Sequence, residues 1–164
     1  MNLPRTTYLV ILSGSLAWCA AILLAPHLAT ASAPFAEFLY RGFHHICHQL
    51  PERSFHLLGE KLAACSRCSS IYFAFLLGVV IYPLLQHSIT PLLQHSRGIL
   101  VAALLPMLID VALEFLGIHE STYATRTITG IIFGIVIPFF VLPAAIEGVQ
   151  QLVAPKRITF REPS

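Results

Sequence analysis

His44 to Cys68 reads HHICHQLPERSFHLLGEKLAACSRC. The stretch holds three of the four cysteines and four of the eight histidines, together with Arg53 and Arg67, in a chain only 11% charged. Metal-capable and charged residues this dense, set between long apolar runs, mark a site carried on a loop. The runs on either side of it decide the fold.

Upstream, no charge occurs between Arg5 and Glu37, and Tyr8 to Ala25 is almost wholly apolar. A helix over about 8–30 crosses a hydrocarbon core of about 30 Å. A secretory signal is the rival reading, with Arg5 as its basic start and Ala31-Ser32-Ala33 as its cleavage site. Pro34 just after the cut and the length of the apolar run favour an uncleaved span. Downstream, charges vanish again from Arg67 to Arg97, and spans are expected at about 69–86, 99–118 and 126–150. Soluble domains carry about 25% charged residues. At 56% hydrophobic, this chain reads as an all-α integral membrane protein of four transmembrane helices in one domain, 1–150. A Cys/His loop, 34–68, lies within that domain, and a basic tail, 151–164, follows it. Phe35, Phe38, Leu39, Phe43 and Ile46 recur at helical spacing, so Pro34 to Leu50 is expected to form a short interfacial helix that Pro51 ends or turns. QHSITPLLQHSRG, with His87 and His95, reads as a solvated loop, and Trp18, Tyr72 and Tyr82 as interface anchors. The net charge of +2 is scattered, which excludes a nucleic-acid footprint. The partner implied is the lipid bilayer of the cell membrane, with a homodimer as a further option.

Four spans put both termini on one side and the Cys/His loop on the other. Arg5, Arg97, Lys156, Arg157 and Arg161 fall on the first side; Arg41, Arg53, Lys61, Arg67 and Arg126 fall on the second. The positive-inside count is therefore tied. Discounting the arginines that belong to the site leaves the termini on the cytoplasmic side. The same topology gathers Asp110, Glu114 and His119, at the end of the third span, and Arg126, at the start of the fourth, beside the loop.

His44-x-x-Cys47 and Cys65-x-x-Cys68 form two ligand pairs separated by 17 residues. Zinc ribbons use two such pairs about 15–20 residues apart, so that each pair wraps its backbone around one tetrahedral ion. Three clustered thiols exceed what a redox pair needs, and the fourth, Cys19, lies inside the first span. Three thiolates and one imidazole complete a zinc shell, ahead of an iron–sulfur cluster. Arg53 and Arg67 would offset the thiolate charge. The imidazole is either His44 or His48. Helical spacing puts His44 on the face of Cys47; if the helix ends at Cys47, as Pro51 encourages, His48 can swing in.

Asp110 and Glu114 share one helix face. Ionisable groups in a span are costly and imply a role. Arg126, across the hairpin, is their expected partner, either as a structural lock or as part of a proton relay or second metal shell. With Glu52, these are the candidate catalytic groups. Gly130 and Gly134 at Gly-x-x-x-Gly spacing are expected to let helices approach closely.

CHQLPERSF, then CSRC and Ile71-Tyr72, then LPMLID, STYATR and TGIIFG together resemble a family of small bacterial and archaeal membrane proteins, domain of unknown function family 2085. The resemblance runs from about Phe38 to Gly134. It implies a multi-span protein whose family positions here are Cys47, His48, Gln49, Pro51, Arg53, Ser54, Phe55, Cys65, Arg67, Cys68, Tyr72, Asp110, Ser121, Arg126 and Gly130. It favours His48 as the histidine. Ser70 stands where many members have glycine. The resemblance implies no reaction.

Three functions fit these residues. One is a membrane protein with a Cys/His metal site at one face: Cys47, Cys65, Cys68 and His48, supported by Gln49, Arg53, Ser54, Arg67, Tyr72 and Ser121. Another is a membrane thiol–disulfide oxidoreductase using Cys65 and Cys68. The third is a metal-dependent enzyme acting on a lipid or isoprenoid, with Glu52, Asp110 or Glu114 as base.

Overall fold

The computed structural model describes residues 3–31, 34–86, 88 and 97–153. His87, His95 and the tail beyond Val153 lie outside the described residues. The chain is mostly helical. Helices α1 (Leu3–Thr30), α2 (Pro34–His44), α3 (Ser66–Leu85), α4 (Arg97–Phe115), α5 (Tyr123–Val136) and α6 (Pro138–Val153) are joined near the middle by a 3-10 turn, Pro51–Arg53, and a small hairpin, β1 (His56–Leu57) and β2 (Glu60–Lys61).

Four stretches are long and apolar enough to cross a membrane: α1, α3, α4 and α5 with α6 taken together, each with mean hydropathy of 2.0 to 2.3. Only 11% of the apolar window in α4 and 33% of that in α3 is buried within the chain. Phe115 and Leu84 lie 90% and 80% exposed. Apolar surface on this scale would not persist in water, where large exposed patches drive association, but it is at home against acyl chains.

The fourth stretch is not one straight helix. Pro138 has no N–H to donate, and the helix breaks at Ile137 before resuming as α6. The proline ring sits over Gly78 of α3, where a Cβ would come within 2.8 Å of Pro138 Cγ. Two further glycines explain the close pairing of α3 with α5. A Cβ at Gly130 would lie 2.8 Å from the Arg67 carbonyl oxygen, and one at Gly134 would lie 2.5 Å from that of Ile71. The rungs run 67–130 and 71–134 between α3 and α5 and continue as 78–138 onto α6, so α3 is parallel to α5 and their backbones touch.

Two clusters fill the interior. At one end of the bundle Ile22 and Ala25 of α1 pack on Phe43, Cys47 and Leu62 to Ala64. At the other end Val79 and Tyr82 of α3 pack on Phe139 and Leu142 of α6. Tyr82 is buried there against Phe139, ring centroids 5.8 Å apart, rather than anchored at an interface. Trp18 meets Phe43 and Tyr72 edge-on. In α2 the buried residues are Ala36 and Phe43, whereas Phe35 and Phe38 stack on each other in the open. The expected apolar face is thus split, because the contact with α1 takes only part of the helix circumference.

Candidate metal centre

The site stands at the end of the bundle where α3 and α5 begin and α4 ends. Helix α2 stops at His44, and the Ile46 and Cys47 N–H groups both donate to the Phe43 carbonyl. The backbone then turns sharply: Gln49 has φ +52°, a left-handed conformation costly for a non-glycine residue. Its buried side chain compensates. Gln49 Nε2 donates to the carbonyls of Tyr40 and Ala63, both at 2.8 Å, and its own carbonyl accepts from Lys61 Nζ at 2.9 Å. One amide thereby ties α2 to the segment that leads into Cys65. Ser54 closes the 3-10 turn by donating to the Leu50 carbonyl at 2.9 Å.

The hairpin had no clear signal in the sequence. His56 pairs with Lys61 and Leu57 with Glu60, leaving Leu58-Gly59 as a two-residue loop with φ positive at both positions. That is the twist-matched turn that favours glycine. The Tyr40 hydroxyl donates to the Lys61 carbonyl and fixes the hairpin to α2. Burial, and then the nearby Glu60 carboxylate, push the Tyr40 phenol above its usual range.

These ties bring Cys47 onto the first turn of α3. The sulfur atoms of Cys47, Cys65 and Cys68 all lie within 4.8 Å of one another, and none is in a disulfide. Cys65 is the N-cap of α3, and its backbone N–H donates to Cys47 Sγ at 3.2 Å. Hydrogen bonds from the Cys65 side chain first, then from Cys68, hold the Cys47 thiol far below the ordinary thiol range. Three sulfurs around a tetrahedral zinc, each about 2.3 Å from it, would sit about 3.8 Å apart. The trio fits that triangle with little adjustment, and thiolates are the ligands such an ion prefers.

His48 is exposed and lines the same cavity of about 320 Å³ as the three cysteines; His44 is exposed at the end of α2 and does not line it. Neither imidazole belongs to the close trio. The chain has left helical conformation by Cys47, the condition under which His48 rather than His44 can approach.

Beside the thiols lies an ion-pair network. Arg67, between Cys65 and Cys68, pairs with Asp110 and sits 3.7 Å from Glu114. Arg126 binds Glu114 at 2.6 Å, and Arg53 reaches the same carboxylate at 2.9 Å. The direct partner of Asp110 is therefore Arg67, not Arg126 as the hairpin geometry suggested. The parallel packing of α3 on α5 inserts Arg67 between them. Ser121 links the two pairs, donating to Asp110 at 2.8 Å and accepting from Arg126 Nε at 3.2 Å. Thr122 caps α5 through a reciprocal box with Thr125 and so fixes where Arg126 emerges. Tyr72 is half-buried below the thiols, and its carbonyl accepts from the Cys19 thiol at 3.4 Å. Glu52 is exposed in an adjoining polar cleft with Glu114, His119 and Glu120, which shares Arg53 and Arg126 with the thiol cavity.

The fold and site define a small helical bundle with four membrane-length helices, capped at one end by three clustered thiols and a buried charge network. Residues 47–140 match a family described as predicted membrane protein, DUF2085. The chain belongs to that family. It is 36% identical over 150 residues to the uncharacterized protein MJ1492 of Methanocaldococcus jannaschii, covering 88% of this chain and 96% of that one. An uncharacterized protein of Methanothermobacter thermautotrophicus is 37% identical over 94 residues, covering 57% of this chain and 81% of that one. No solved structure matches.

Proposed function

We propose that this protein is a multi-pass membrane protein built around one zinc ion, held at one membrane face by Cys47, Cys65, Cys68 and His48. The observation that carries the reading is the trio itself. Three reduced sulfurs from two distant segments converge to within 4.8 Å. Two of them sit on the first turn of a helix whose N–H groups favour thiolates. Zinc suits a thiolate-rich set and needs no redox role. The ion would join α2 and the hairpin to the start of α3, so its binding energy would be folding energy. The termini lie on the cytoplasmic side in this reading, with the zinc end opposite.

A second reading is favoured by the placement of Cys65 and Cys68 at the start of α3. A Cys-x-x-Cys at a helix N-terminus is also the arrangement of thiol–disulfide exchange. Elemental analysis of detergent-purified protein, with thiol titration, separates the two. One zinc per chain with three unreactive thiols supports the metal site. Protein free of zinc and iron, with Cys65 joined to Cys68, overturns it in favour of exchange. Labelling of cysteines introduced into the loop and into the tail from the same side of the membrane would overturn the topology.

A further inference from the structure

We infer that the cavity beside the three thiols is a binding site for a phosphate oxyanion, held by Arg53, Arg67 and Arg126. The inference deepens the metal-site reading by naming a ligand class for the same end of the bundle.

The three guanidiniums arrive from three different elements, the 3-10 turn, α3 and α5, and all line the one cavity that the cysteines line. No carboxylate lines it. Asp110 and Glu114 pair with the arginines from outside it, and Arg53 and Arg126 also border the adjoining cleft that carries Glu52, Glu114 and Glu120. Glu114 engages a single nitrogen of Arg53 and a single nitrogen of Arg126. Each fork therefore retains donors after its carboxylate is satisfied. Arg67 Nε is buried with no hydrogen-bond partner among the described residues. A buried donor left unpaired is costly, so a ligand oxygen that draws the Arg67 guanidinium toward the cavity would be favoured.

Rigid guanidinium forks match the oxygen geometry of phosphate, and several forks around one space suit a group with several charged oxygens. The volume of about 320 Å³ holds about ten waters' worth of liquid, enough for a phosphate and part of what it esterifies. The phosphate could arrive as a lipid headgroup or as a soluble ester. The carboxylates behind the arginines act as positioning residues: they hold the forks open toward the cavity without filling it.

The bland alternative is that the arginines only neutralise the thiolate–metal centre. Isothermal titration of the full chain in a phosphate-free maltoside detergent distinguishes the two. The probes are inorganic phosphate and a soluble short-chain phosphatidic acid. Arg53→Gln is the main variant, because Arg53 is partly exposed and its one ion pair is with Glu114. Arg126→Lys is the second, keeping charge while losing the fork. Saturable binding of either probe, weakened about tenfold in both variants as loss of a charge-assisted hydrogen bond predicts, supports the site. Binding of phosphatidic acid alone assigns the lipid headgroup; binding of both assigns the phosphate group itself. No binding of either probe, or binding unchanged in Arg53→Gln, overturns the inference. Zinc content is measured on the same samples. Phosphate binding to zinc-free protein would overturn the metal reading and leave this one standing, whereas a full zinc site with no phosphate binding would do the reverse.

Discussion

The two ends of the bundle are held together by different physics. At the far end, Val79, Tyr82, Phe139 and Leu142 fill space between helices, and one aromatic pair supplies the orientation. At the near end, irregular chain is fixed by directional bonds: a glutamine clip, a backbone N–H to a cysteine sulfur, and three arginines sharing two carboxylates. The first kind of end specifies volume. The second specifies atoms. Substitutions should therefore be tolerated by size at one end and hardly at all at the other.

The largest effect is expected at the thiols. Cys47→Ala, Cys65→Ala and Cys68→Ala should each abolish zinc retention and sharply lower the yield of folded protein, because structural zinc contributes about 10–16 kcal/mol of apparent binding energy. A strong chelator should unfold the near end of the wild type and leave α6 packed, read by hydrogen exchange. Retained zinc in any of the three variants would break the contrast.

Next comes the charge network. Glu114→Gln leaves the buried Arg126 without its carboxylate, a loss of about 3–5 kcal/mol in detergent denaturation, whereas Arg126→Gln should cost less because Arg53 still pairs with Glu114. Asp110→Asn combined with Arg67→Gln should cost less than the sum of the singles by about 0.5–3 kcal/mol. The coupling of Asp110 with Arg126, which runs only through Ser121, should be weaker. At the far end, Leu142→Ala should cost about 2–5 kcal/mol, whereas Leu142→Met should cost less than about 1.5 kcal/mol. If Leu142→Met proved as harmful as Leu142→Ala, the far end would be as exacting as the near one. Smallest of all, Arg41→Ala removes a pair with Glu37 whose side chains are 79% and 68% exposed, and no measurable change in stability is expected.

The helices were legible in the sequence because a charge-free run long enough to span a bilayer has few other uses. The gathering of the loop with Asp110, Glu114 and Arg126 followed from counting spans. What the sequence hid depends on rotation and on single residues. Two-residue strands show no alternation, so the hairpin leaves no periodic signal. That Gln49 would clip two carbonyls cannot be read from its identity, since its left-handed φ is what aims it. Arg67 lies 43 residues from Asp110, and nothing in the spacing says that it would displace Arg126 from that carboxylate. The expected span 126–150 is broken at Pro138, whose ring fits the hollow that Gly78 leaves.

The glycine rungs between α3 and α5 also act as a ruler. Arg67 and Cys68 ride on one edge of it and Arg126 on the other. A slip of one residue along the axis, about 1.5 Å, would drive side chains into carbonyls that only a missing Cβ now clears. The spacing between thiols and guanidinium is thus calibrated by two backbones in contact rather than by the flexible loop that carries Cys47. Any breathing that admits a ligand must belong to the loop, the hairpin or α4, while the α3–α5 pair keeps the scale.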